Sequence, residues 1–179
     1  MSSQGAARWD ALFADLEAQL AAQHQAERDG EVAELTRAEH ASIGLPDRLR
    51  AVVGGTVTLE LGDGETVTGT LRRVAAAWLL LEGRGSAEHL VPVAAVASVT
   101  GLTRRAVPSA SRADGLGLGT VLRELQRDRG RVVVRTSAGQ AAGRLARVGQ
   151  DHLDLEETDR VPVSLRTVPF AAVLRVSRS

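Results

Sequence analysis

Asp63 to Glu82 reads DGETVTGTLRRVAAAWLLLE. A polar turn leads into alternating residues, then a step of small residues, then a solid apolar run. Ala138 to Glu156, AGQAAGRLARVGQDHLDLE, returns to the same design. Ahead of the first stretch, Val57, Leu59 and Leu61 alternate with Thr56, Thr58 and Glu60, the period-two mark of a half-buried strand. Asp63-Gly64 supplies the positive φ of a tight hairpin turn. The next strand is Thr66 to Val74, with Gly69 inside it as a predicted bulge or sharp bend. Trp78-Leu79-Leu80-Leu81 is a third strand, and Val91-Pro92-Val93 and Val96 to Val99 are short strands around a brief turn. Pro92 cannot donate to a ladder and is expected at an edge or a strand start.

The two copies align residue by residue. Gly130 falls on Gly55, Val132 on Val57, Val134 on Leu59 and Gly139 on Gly64. After the turn the second copy is one residue shorter; then Gly143 falls on Gly69, Leu145 on Leu71, Leu153 on Leu79 and Leu155 on Leu81. Val91 to Val96 matches Val168 to Val173, and Val99 matches Val176. Glycines and apolar positions coincide while surface residues differ. Roughly 50 residues with five short strands are too few for a sandwich and suit a small, bent SH3-like barrel whose curl hides its edges.

Each copy resembles an Sm-like domain, the fold of eukaryotic Sm proteins and bacterial Hfq, over about residues 45 to 101 and 117 to 177. The shared frame is a short helix, a strand, an Asp/Asn-Gly turn, a strand with an internal Gly, an apolar strand and a final β pair. Leu49 to Val53 and Val121 to Leu125 stand where the family has its N-terminal helix. The PRC-barrel fold shares much of this frame. The resemblance implies a mainly β fold with some α: a helical arm (1 to 44), a first Sm-like barrel (45 to 102), a linker (103 to 116) and a second barrel (117 to 179), each barrel preceded by a short helix. The family's RNA site is poorly reproduced, more closely in the second copy than in the first. Where Sm proteins place polar, aromatic and Asn base readers, this chain has Ala75-Ala76-Ala77-Trp78 and Gly149-Gln150-Asp151-His152. In the last β turn, Ala94-Ala95 and Ala171-Ala172 replace the family's basic residue and glycine.

Residues 6 to 40 read as helix, with Trp9, Leu12, Phe13, Leu16 and Leu20 on one stripe. The stripe either packs on a barrel or forms a partner-helix face for another chain. Charge is uneven: residues 1 to 40 carry eight acids and three bases, residues 102 to 179 eight acids and fourteen bases. Every base is Arg. Arg72, Arg73, Arg104, Arg105, Arg144 and Arg147 are candidate nucleic-acid contacts, as a phosphate-binding face would require. Aromatics are 2% of the chain and Tyr is absent; Trp9, Phe13, Trp78 and Phe170 are expected mainly in the core, leaving little for base stacking.

The chain has no Cys, which excludes thiolate chemistry. His24, His40, His89 and His152 lack the spacing of a metal site, and His152 with Asp154 on one strand face is the nearest approach to an acid–base pair. Gly115-Leu116-Gly117-Leu118-Gly119 lacks the preceding strand of a dinucleotide loop, and Thr120 is the expected cap of the helix after it. The expectation is a non-enzyme with no catalytic residue, metal, cofactor or small-molecule substrate. No apolar run spans a membrane and no signal sequence opens the chain, so a cytoplasmic location is expected. The expected role is an interaction or scaffold protein that binds a protein partner or itself; the alternative is regulatory RNA or DNA binding.

Overall fold

The computed structural model describes residues 41–157 and 163–178, together with Gln25. The arm stripe of Trp9, Leu12, Phe13, Leu16 and Leu20 lies outside the described residues. Gly44 to Ser179 cluster as one unit. Its first helix, α1 (Leu45–Arg50), has Pro46 in its first turn, where the missing N–H costs nothing. Asp47 accepts a hydrogen bond from the Gly44 N–H at 3.2 Å and pairs with Arg50. The helix starts before Leu49 and gives way to a turn after Arg50, short of the expected Val53.

The first set of strands is β1 (Thr56–Leu61), β2 (Thr66–Val74), β3 (Trp78–Glu82), β4 (Glu88–Pro92) and β5 (Val96–Thr100). Helix α2 (Leu118–Arg127) follows. It is capped by Gly117 rather than Thr120, which lies inside it, and Leu122 on its inner face is fully buried. The second set is β6 (Arg131–Thr136), β7 (Gly139–Val148), β8 (His152–Glu157), β9 (Ser164–Pro169) and β10 (Val173–Arg178). A 3-10 turn joins β4 to β5 through Val93–Ala95, and another joins β9 to β10 through Phe170–Ala172.

All ten strands belong to one open antiparallel sheet in the order β5-β1-β2-β3-β4-β10-β6-β7-β8-β9. This corrects the expectation of two separate small barrels. That expectation assumed that each five-stranded half hides its edge by closing on itself. Instead β4, the last strand in the first half's order, pairs with β10, the leading strand of the second, through Val176–Leu90, Ser177–His89 and Arg178–Glu88. Edge backbone groups are satisfied across the halves rather than within each.

The halves match pair for pair. Val57 faces Gly69 as Val132 faces Gly143, Leu71 faces Leu81 as Leu145 faces Leu155, and Val74 faces Leu79 as Val148 faces Leu153. Both halves carry a bulge one residue past that leucine, at Arg72 and at Ala146. Gly69 is therefore not the bulge. A Cβ on Gly69 would lie 2.5 Å from the Glu82 carbonyl oxygen, and one on Gly143 would lie 2.1 Å from that of Glu156. Both glycines mark a close backbone crossing. Pro92 ends β4 opposite Trp78 rather than marking a start.

Leu59, Leu71, Leu79, Leu81 and Val91 meet Leu49 of α1 in one core; Leu122, Val132, Val134, Leu153, Leu155 and Val176 make the other. The run Trp78-Leu79-Leu80-Leu81 serves both. Leu79 and Leu81 point into the first core, while Trp78, Leu80 and Leu90 of β4 join the second. A strand covered on both faces reads as a continuous apolar run. The second half has His152 and Asp154 in place of Trp78 and Leu80, and that alternation leaves one face to water.

Candidate interaction surfaces

The seam between the halves collects the charges that the repeat pattern hid. The hairpin after β1 is set by Gly64 at φ +82°, and Asp63 Oδ1 accepts from the Glu65 N–H at 3.1 Å. This aims both acids at the second half. Arg135 Nε of β6 donates to Asp63 Oδ2 at 2.8 Å and lies 2.9 Å from Glu65 Oε2. Arg175 Nη1 of β10 is 2.9 Å from Glu65 Oε1. The Glu65 amide, and then Arg135, hold the Asp63 carboxyl below its ordinary 3.8. Further along, Arg178 bridges Glu88 at 3.0 Å and Asp128 at 2.7 Å.

His89 sits in the same seam, its Nδ1 3.0 Å from Ser177 Oγ. Burial lowers its pKa below 6.5, Arg175 adds to the shift and Glu65 opposes it. The unfolded chain thus binds this proton more readily than the folded one. The stabilising contribution is present above about pH 6.5 and is lost as pH falls through that value toward the lower folded pKa. Melting temperatures measured between about pH 7.5 and 5.5 are expected to fall more steeply for the native chain than for His89→Gln. Equal slopes would remove His89 from this role.

The candidate phosphate contacts do not form one face. Arg72 and Arg73 lie on β2, Arg144 and Arg147 on β7, with four strands between. At a spacing of about 4.8 Å per strand that is roughly 24 Å along the sheet. Arg72 pairs with Glu82, and Arg73 lies over the Trp78 ring at 6.0 Å from its centroid, a cation–π contact. Arg144 stands opposite Glu156, and Arg147 opposite Asp154. Arg104 and Arg105 are exposed on the segment between the halves. That segment is anchored: Val107 N–H donates to the Asp47 carbonyl at 2.9 Å, and Trp78 Nε1 donates to that of Leu116 at 2.9 Å.

His152 pairs with Asp151 at 2.9 Å rather than with Asp154, which instead accepts from Thr167 Oγ1 at 2.6 Å. His152 lowers the Asp151 pKa below 3.8. Among the described residues no three His, Cys, Asp or Glu side chains could hold a metal ion, and no helix is long and apolar enough to cross a membrane.

What the strand pattern did not reveal are the two free edges of the sheet. Among the described residues β5 pairs only with β1 and β9 only with β8. Val163 and Leu165 at the β9 edge are 57% and 63% exposed. Beside β9 a cavity of about 420 Å³ opens between the Thr136–Gly139 turn and Arg166–Pro169. Among the described residues of its lining Arg166 is the one ionisable group, and it pairs with Glu157 at 2.7 Å. The sequence matches no family model and no curated protein.

Proposed function

We propose that this chain is an interaction protein whose work is done by its surfaces rather than by catalysis. The observation that carries this reading is the pair of edges left free, among the described residues, on a ten-stranded sheet, one of them bearing exposed Val163 and Leu165. A free edge offers a row of backbone donors and acceptors to an added strand. The acidic arm, with Trp9, Leu12, Phe13, Leu16 and Leu20, adds a second partner-binding segment in the same reading. Opposed acids and the Trp78 ring beside four of the six candidate arginines favour this reading over a phosphate-binding face.

The test is recovery of partners by the full chain against two full-length variants, Leu12→Asp/Leu16→Asp in the arm and Leu165→Lys at the β9 edge. At least one variant is expected to lose partners that the native chain retains. Identical recovery by all three chains, together with salt-sensitive binding of single-stranded RNA or duplex DNA, would overturn the reading in favour of nucleic acid.

A further inference from the structure

The internal seam is a template for a contact between molecules. β4 and β10 are paired within the chain. Their repeat equivalents, β9 and β5, are the two edges of the same sheet left free among the described residues. The register of the other strands fixes the equivalence. Leu90 lies opposite Leu80 as Thr167 lies opposite Asp154, and Val176 opposite Val134 as Val99 opposite Leu59. At the free ends each counterpart is more exposed: Leu90 is buried and Thr167 exposed, Pro92 buried and Pro169 exposed, Val176 buried and Val99 half-buried. The seam covers in one half what the other half leaves open.

The cavity beside β9 falls at the matching place. In the first half, the corresponding turn carries Gly62, whose N–H donates to the Ala95 carbonyl at 3.0 Å. A Cβ on Gly62 would lie 3.9 Å from Leu174 of β10, and Leu174 packs against the first core. β10 thus occupies in the first half the seat that stands open in the second. Charge distinguishes the two seats. The internal seat presents Asp63 and Glu65 to Arg135 and Arg175. The open seat has the uncharged Ala138 and Gln140 at its turn, its Arg166 pairs with Glu157 at 2.7 Å, and β5 carries Ser98 at the place of Arg175.

We infer that a second copy of this chain occupies the open seat, its β5 adding antiparallel to β9 with Val99 opposite Thr167, Thr100 opposite Arg166 and Gly101 opposite Leu165. This inference rests on the interaction reading and names its partner. The contact is head-to-tail, so every assembly keeps one free edge of each kind at its two ends and further copies add in turn. The open seat replaces Trp78, Leu80 and Leu90 with His152, Asp154 and Thr167. The contact between molecules is therefore reversible and concentration-dependent, whereas the internal seam is permanent.

Two measurements on the full chain test this. Sedimentation over a wide concentration range is expected to show species at multiples of 18.9 kDa for the native chain. Leu165→Lys places a solvated charge at the seam on a side chain already exposed in the monomer, and is expected to weaken association by about tenfold or more. The second measurement uses the absence of native cysteine. Thr100→Cys mixed with Arg166→Cys under oxidation is expected to give a disulfide dimer. Thr100→Cys mixed with Ser164→Cys, two residues out of register and beyond the roughly 7 Å reach of a disulfide, is expected not to. A native chain that stays at 18.9 kDa throughout, or equal cross-linking by both mixtures, overturns the inference. A monomer that still loses partners in the arm or edge variants leaves the interaction reading standing.

Discussion

Gly143→Ala is expected to destabilise the chain by about 3 kcal/mol or more, well above the cost of an ordinary glycine replacement. The added Cβ would meet the Glu156 carbonyl oxygen at 2.1 Å and its carbon at 2.8 Å. Both are backbone atoms of the neighbouring strand, so no side chain can swing aside. Relief requires β7 and β8 to separate, and these strands carry Leu145, Leu153 and Leu155 into the core. Gly69→Ala repeats the experiment in the first half with a longer approach of 2.5 Å to the Glu82 oxygen, and a smaller loss is expected. Gly64→Ala is a contrasting control: its site is open, and its cost comes only from φ +82°, about 1 kcal/mol. Thermal unfolding of the three variants reads the order directly, at roughly 2 to 4 °C per kcal/mol for a chain of this size. Equal losses at Gly143 and Gly64 would contradict the close crossing.

Trp78→Ala is expected to cost about 3 to 5 kcal/mol, the range for deleting a buried aromatic side chain. Trp78 is 2% exposed and belongs by sequence to the first half, yet it packs in the core of the second. The loss should therefore loosen β6 to β9 as well as β3. Trp78→Phe keeps most of the apolar bulk but removes the N–H that Leu116 accepts. Its cost is expected near 1 kcal/mol, with faster hydrogen exchange in the segment that leads into α2. If Trp78→Ala left amide protection in the second half unchanged, the shared core would be refuted.

The repeat and its strands were legible because two periodicities mark them. Alternation at Val57, Leu59 and Leu61 placed β1, and Asp63-Gly64 placed the hairpin. The matched glycines Gly69 and Gly143 pointed to a backbone constraint, although its nature is a close crossing and the bulge lies at Arg72. The joining of the halves was not read from the pattern, because strand pairing across a seam leaves no period of its own. Two signals of it were nonetheless present. Trp78-Leu79-Leu80-Leu81 is apolar on both faces while His152-Leu153-Asp154-Leu155 is not, which marks a strand covered on both sides in one half only. The first hairpin is one residue longer than the second, and Glu65 at its end binds Arg175 across the seam. The arginines misled for a related reason. Arg73 and Arg147 hold equivalent positions just past the bulges of the two halves, but equivalence in a repeat is separation in space.

Amide hydrogen exchange, resolved strand by strand on the chain diluted to its monomer, tests the central claim that the two halves form one sheet through β4 and β10. The expected result is protection of Glu88–Leu90 and Val176–Arg178 comparable to that of the central strands β2 and β7, with faster exchange along the outer edges of β5 and β9. Exchange of β4 and β10 as fast as that of β5 and β9 would mean two separate halves, and would contradict the account.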